Sequence, residues 1–121
     1  MPYVTTPAEM EGFRIHPGVT AKLVAVGKEM TGLISIWEPN SLFAPHVHPN
    51  EQIGICIEGE AIFTIDGKDY LVRKGDVYNI PANVPHGERN EGATPAVFME
   101  CFAPVREDLV KHQKFMMPFV E

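Results

Sequence analysis

Apolar and polar residues alternate along most of this chain with a period of two, which is the signature of half-buried β-strands. Val19 to Val26 alternates loosely, and Leu33 to Trp37 is a strongly β-favouring run. From Gln52 to Glu58 the pattern is strict. Ile53, Ile55 and Ile57 share one face, and Gln52, Gly54 and Cys56 share the other. Further runs cover Ala61 to Ile65, Lys68 to Val72, Val77 to Ile80 and Ala96 to Phe102. Turn signals separate them: His16-Pro17-Gly18, Gly27 to Met30, Glu38 to Ser41, Gly59-Glu60, Lys74-Gly75-Asp76 and Asn90 to Ala93. Asp66-Gly67 between two alternating runs is a hairpin signal of the two-residue type. Thr6-Pro7-Ala8 predicts a short helical turn, and Arg106 to Gln113 has the composition of a helix. Eight or so short strands at regular spacing predict an all-β sandwich or barrel ending in a short helix and tail. The tail from Phe115 to Val120 is too apolar for water and is expected to pack on the barrel or on a second subunit.

Bulk properties narrow the class. The 121 residues make one domain's worth of chain, so residues 1–121 are read as a single domain. The formal charge is −6 and no basic cluster exceeds Arg73-Lys74, which argues against a nucleic-acid face. Cys56 and Cys101 both lie in apolar runs and read as reduced, buried thiols. The start of the chain lacks a basic and then apolar leader, and no run approaches a membrane span, so a cytoplasmic protein is expected.

The candidate chemistry lies in Pro45-His46-Val47-His48-Pro49-Asn50-Glu51-Gln52. His46 and His48 share a parity, and Gln52 shares it too if the chain stays extended, so three groups with lone pairs converge. The flanking prolines make this strand short, bulged or terminal. Pro81 to Pro85 forms a constrained loop that delivers His86. The adjacent Glu51 competes with Gln52 as a ligand, since a bulge would correct its parity. Three imidazoles and an amide oxygen suit one divalent ion, with Zn, Ni, Mn and Fe all compatible. All four ligands are neutral, so the ion keeps its full charge and favours anionic, chelating oxygens. His16 and His112 have no partner by spacing and read as ordinary surface histidines.

These residues resemble the cupins, small single-domain barrels whose fold is a double-stranded β-helix, or jelly roll. Two spaced motifs carry the resemblance. The first places His46-x-His48, three residues, Gln52, six residues and Gly59 in register, with Asn40 where the family has glycine and Gln52 where it has glutamate. The second places Gly75, Pro81, His86 and Asn90 in register, with Asn83 in a glycine position. A second segment, Glu100-Cys101-Phe102-Ala103-Pro104-Val105-Arg106, is similar to the acid-x-Phe-x-x-x-Arg stretch of the cupins that linearise 4,5-unsaturated uronates. That resemblance implies an isomerase or lyase acting on a small acidic sugar or a hydroxy or keto acid. Glu100 would be the general base, Arg106 the carboxylate clamp and Phe102 a pocket wall opposite the metal. Glutamate replaces the aspartate usual in that group and moves the carboxyl by more than about an ångström. A metal-dependent dioxygenase and a non-catalytic ligand-binding module are the alternatives. The implied partners are a small anionic molecule and a second copy of the chain, through the Ile53, Ile55 and Ile57 face or the apolar tail. Neither nucleic acid nor a membrane is among them.

Overall fold

The structure, a computed structural model, describes residues 3–116, with side chains as far as Lys111. The expectations for the tail from Phe115 to Val120, and for His112, lie outside the described side chains.

A 3₁₀ turn over Pro7–Glu9 opens the chain, with Thr6 at its start making no side-chain cap. The strands follow in order: β1 (Phe13–His16), β2 (Val19–Val26), β3 (Thr31–Trp37), β4 (Leu42–His46), β5 (Glu51–Glu58), β6 (Glu60–Ile65), β7 (Lys68–Arg73), β8 (Val77–Ile80), β9 (His86–Arg89) and β10 (Ala96–Ala103). Helix α1 covers Glu107–Met116. Two sheets face each other, one ordered β1-β2-β3-β10-β5-β8 and the other β4-β9-β6-β7. Neighbouring strands within each sheet run antiparallel and the architecture is a jelly roll.

The strict alternation on β5 survives intact, with Gln52, Gly54 and Cys56 buried and the three isoleucines outside. Gly54 is required there, because a Cβ would stand 2.2 Å from the Tyr78 hydroxyl of the neighbouring β8. The Asp66-Gly67 turn has φ of 50° and 81°, the two positive values a two-residue hairpin needs. Asn40 and Asn83, standing in glycine positions of the two motifs, adopt φ of 67° and 64°. Asparagine tolerates this region better than most residues, which is why both substitutions are accommodated.

Phe63, Phe98, Tyr78 and Trp37 anchor one core between the sheets. A second cluster forms where Leu109 and Val110 of α1 cover Leu23, Leu33 and Phe102. Two expectations are corrected. Cys101 is exposed, because its odd position on β10 points it away from Glu100 and Phe102; Cys56 is buried as expected. Strands β1 and β9 are absent from the periodicity reading, since each has four residues and lies beside proline-rich turns.

Candidate metal centre

His46 closes β4, and the chain leaves the strand before His48. The two histidines therefore do not sit on one continuous extended strand with Gln52. His46 belongs to the four-stranded sheet and Gln52 to the six-stranded one, and His48 lies on the segment that crosses between them. Convergence survives because the crossing segment is tied at both sides. Asn50 Nδ2 donates to the Pro104 carbonyl at the end of β10. The Asn83 amide donates to the His48 carbonyl over 2.9 Å, which links this segment to the loop that carries His86. His46 and His86 are register partners across β4 and β9.

The candidate ligand atoms of His46, His48 and His86 all lie within 4.8 Å of one another. Each ring has its Nδ1 facing a backbone carbonyl: Ala44 at 3.3 Å, Asn50 at 2.9 Å and Val84 at 2.9 Å. An Nδ1–H donating to a carbonyl leaves Nε2 unprotonated, with its lone pair free. His86 Nε2 is buried and has no hydrogen-bond partner. A buried orphan of this kind needs an occupant, and a divalent ion shared with His46 and His48 would supply one. The residues present fit a divalent ion.

Gln52 stands beside the three histidines. Its Oε1 lies 3.3 Å from His48 Nε2. Its Nε2 donates to the carboxylate of Glu100, which fixes the amide and turns the oxygen toward the histidines. Glu51 points to the opposite side of β5 and is exposed, so the bulge that would have made it a ligand does not form.

Electrostatics agree with this arrangement. Burial lowers the pKa of all three histidines, His86 to about 4, so the imidazoles are neutral near pH 7. Burial raises Glu100, against which hydrogen bonds from Ser35 and Gln52 and the charge of Arg106 work. Ser35 Oγ donates to Glu100 over 2.5 Å and accepts from Trp37 Nε1 over 3.1 Å.

Glu100, Phe102 and Arg106 line the same cavity of about 200 Å³ as His46, His48 and Gln52. The Phe102 ring sits edge-on to His48 with centroids 5.7 Å apart, and the Arg106 guanidinium stacks 4.8 Å above it. Arg106 is already engaged: Nε and Nη2 donate to the two carboxylate oxygens of Asp108 over 3.0 and 2.8 Å. Its Nη1 edge remains for a ligand. The sequence reading missed Asp108 and also Glu88, a buried acid on β9 that lines this cavity. Only the inward parity of Glu88 with His86 would have revealed it.

Residues 33–102, more than half of the chain, match the cupin domain family. The chain is a cupin. Among curated relatives it is 36% identical over 80 residues to the HTH-type transcriptional regulator PuuR of Escherichia coli, covering 63% of this chain and 43% of PuuR. It is 34% identical over 94 residues to quercetin 2,3-dioxygenase of Bacillus subtilis, covering 74% of this chain and 28% of that enzyme. It is 38% identical over 60 residues to H2HPP isomerase of Bacillus subtilis, covering 49% of this chain and 25% of that enzyme. This cupin therefore spans less than half of each of these three proteins, among which are a dioxygenase and an isomerase. Two solved structures share the fold at 22% identity. They are an RmlC-like cupin from Shewanella frigidimarina (TM-score 0.83, 90% of this chain, 96% of that one) and KdgF from a Halomonas species (TM-score 0.82, 90% and 99%).

Proposed function

We propose that this cupin is a divalent-metal-dependent isomerase or lyase acting on a small acidic sugar or a hydroxy or keto acid. The observation that carries the reading is the meeting of three imidazoles and one amide oxygen beside a cavity that also holds a buried carboxyl and an arginine. His46, His48, Gln52 and His86 would hold the ion, with Zn, Ni, Mn and Fe all suited to that set. When bound, the ion would supply a positive charge that attracts anionic oxygens and acidifies a hydroxyl close to it. Arg106 offers its Nη1 edge to the substrate carboxylate while Asp108 holds the rest of the guanidinium in place. Glu100, raised by burial and steadied by Ser35, moves one proton: it takes it from the hemiacetal hydroxyl as the aldehyde forms and the ring C–O bond breaks, and returns it to the alkene carbon as the released enolate becomes a ketone. Phe102 walls the space between Arg106 and His48 and keeps water off it.

The test is consumption of 4,5-unsaturated galacturonate by metal-loaded protein, followed as loss of the enol-ether absorbance. Glu100→Gln should abolish turnover and retain the metal. No turnover with any stoichiometric divalent ion would overturn the reading. The likeness to a dioxygenase supports a second one, in which the same centre serves substrate-dependent uptake of O₂; an oxygen electrode separates the two. The described residues contain a single α-helix, so a regulatory role of the PuuR kind would need a DNA-binding unit from elsewhere.

The cupin is further read as a homodimer. Ile53, Ile55 and Ile57 are 48, 40 and 40% exposed on the outer face of the six-stranded sheet, and Val77 beside Ile55 is 66% exposed. A continuous apolar row on a sheet face is self-complementary, and a second copy related by a two-fold axis covers it.

A further inference from the structure

The cavity contains two buried carboxyls, and they are treated differently by the protein. Glu100 receives Ser35 Oγ–H and Gln52 Nε2–H. Glu88 receives nothing: it is 6% exposed, lines the same cavity, and no donor among the described residues reaches its carboxyl. Its position is well defined, paired with Phe43 across β4 and with Phe63 across β6. The flanking side chains are thus aromatic and offer it no hydrogen bond. A buried polar group without a partner weakens the fold, and an apolar residue here would have been better for folding alone. Glu88 is therefore set up for something that enters the cavity.

The chemistry of that partner follows from the other walls. Arg106 stands at the side formed by the end of β10 and accounts for the acidic end of a ligand. Glu88 comes from the opposing sheet and faces a different part of the same molecule. An ammonium would have to share the cavity with the guanidinium of Arg106. A hydroxyl meets no such repulsion, and it pairs with a carboxyl in either protonation state, donating to the carboxylate or accepting from the acid. We infer that Glu88 is a specificity-determining residue that hydrogen-bonds a ligand hydroxyl inside the barrel, selecting polyhydroxylated acids over their deoxy counterparts. This rests on the acidic-sugar reading above and names the group that would recognise the sugar's hydroxyls.

The test compares two probes by calorimetry on Mn²⁺-loaded protein: galacturonate, and tetrahydropyran-2-carboxylate, the same ring acid without hydroxyls. The wild type should prefer galacturonate. Glu88→Met should cut that preference by about tenfold, the size of one lost hydrogen bond to an uncharged group. Glu88→Gln, which still donates and accepts, should keep most of it. Melting of the metal-free proteins provides the second readout, with Glu88→Met expected to melt at or above the wild-type temperature and to bind Mn²⁺ unchanged. An undiminished preference in Glu88→Met, or a melting temperature that falls well below wild type, overturns the assignment of Glu88 alone. Failure of metal-loaded wild type to bind galacturonate overturns the acidic-sugar reading and this inference with it.

Discussion

Replacing Gln52 by glutamate restores the residue usual in the first cupin motif, and the structure predicts that it destabilises this protein. Gln52 is 2% exposed and Glu100 5%, and the amide N–H of one is the donor that holds the carboxylate of the other. An ionised glutamate has no donor, so Gln52→Glu sets two carboxylates against each other in a buried site. The pair escapes by keeping one proton, which then takes the place of the lost amide hydrogen. Holding a proton above the ordinary carboxyl pKa of about 4.3 costs about 1.4 kcal/mol for each pH unit. The deficit relative to wild type is then about 1.6 kcal/mol at pH 5.5 and about 4 kcal/mol at pH 7.5, levelling off where the pair's own pKa is reached. The second figure agrees with the ~3–5 kcal/mol seen when one partner of a buried charged pair is removed. The sign is that of a group whose folded pKa is raised: its contribution is intact at low pH and is lost as pH rises. Taking the difference between variant and wild type cancels the titration of every other group. Urea unfolding of the metal-free proteins at pH 5.5, 6.5 and 7.5 measures it, with the buried Trp37 as the fluorescent reporter. Saturating Mn²⁺ should shrink the deficit, because a cation relieves the repulsion. A deficit that is flat with pH, or below about 1 kcal/mol at pH 7.5, refutes the claim that Gln52 and Glu100 act as a coupled pair.

Three other outcomes are expected. His86, 1% exposed and held near pH 4 by burial, binds fewer protons folded than unfolded, so its contribution is present above about pH 6.5 and is lost as pH falls toward 4; wild type should lose up to about 3 kcal/mol more than His86→Gln on acidification across that window, measured on metal-free protein. Asn90→Ala removes donors to the Trp37 and Thr94 carbonyls and the acceptor for the Gly92 amide in a buried site, and should cost about 3 kcal/mol by urea unfolding. Ile55→Asp on the outer face of β5 should leave unfolding free energy within about 0.5 kcal/mol at low concentration while converting the proposed dimer to a monomer by light scattering; a wild type that is already monomeric at micromolar concentration refutes the sheet-face contact.

Periodicity and spacing made most of this fold legible. β5 is the clearest case, because alternation of isoleucine with small or polar residues encodes its extended conformation and its division into two faces. What the alternation could not tell is which face is wet: the isoleucines look like core, yet they lie outside, because the inner face is narrowed by Tyr78 against Gly54 and filled by Gln52. The three histidines were readable from spacing, but the route to their convergence was not. Parity on one strand predicts a convergence that the chain achieves by leaving the strand after His46 and crossing to the other sheet. Glu88 and Asp108 were illegible for a related reason. Their significance comes from facing a cavity built by residues far away in sequence, and a four-residue strand or a helix start carries no period long enough to mark a face.

The position of negative charge around this candidate centre explains how a neutral set of candidate ligands is compatible with a stable fold. In the usual motif a glutamate binds the ion directly and cancels part of its charge. Here the amide of Gln52 stands in that position and the carboxylate of Glu100 stands immediately behind it, joined by the amide N–H. The negative charge has been moved one residue outward instead of being deleted. An ion held there would keep its full attraction for anionic oxygens, while the same N–H that fixes the Gln52 amide also satisfies the buried carboxylate. Ser35 and Trp37 extend this support, with Trp37 Nε1 fixing the Ser35 hydroxyl that donates to Glu100. Two roles for Glu100 follow from one geometry: it orients the Gln52 amide through one oxygen, and it presents a carboxyl of raised pKa to the cavity. Shortening it to aspartate would pull both oxygens back from Gln52 and Ser35 together, so the glutamate found here belongs with Gln52 and cannot be exchanged independently of it.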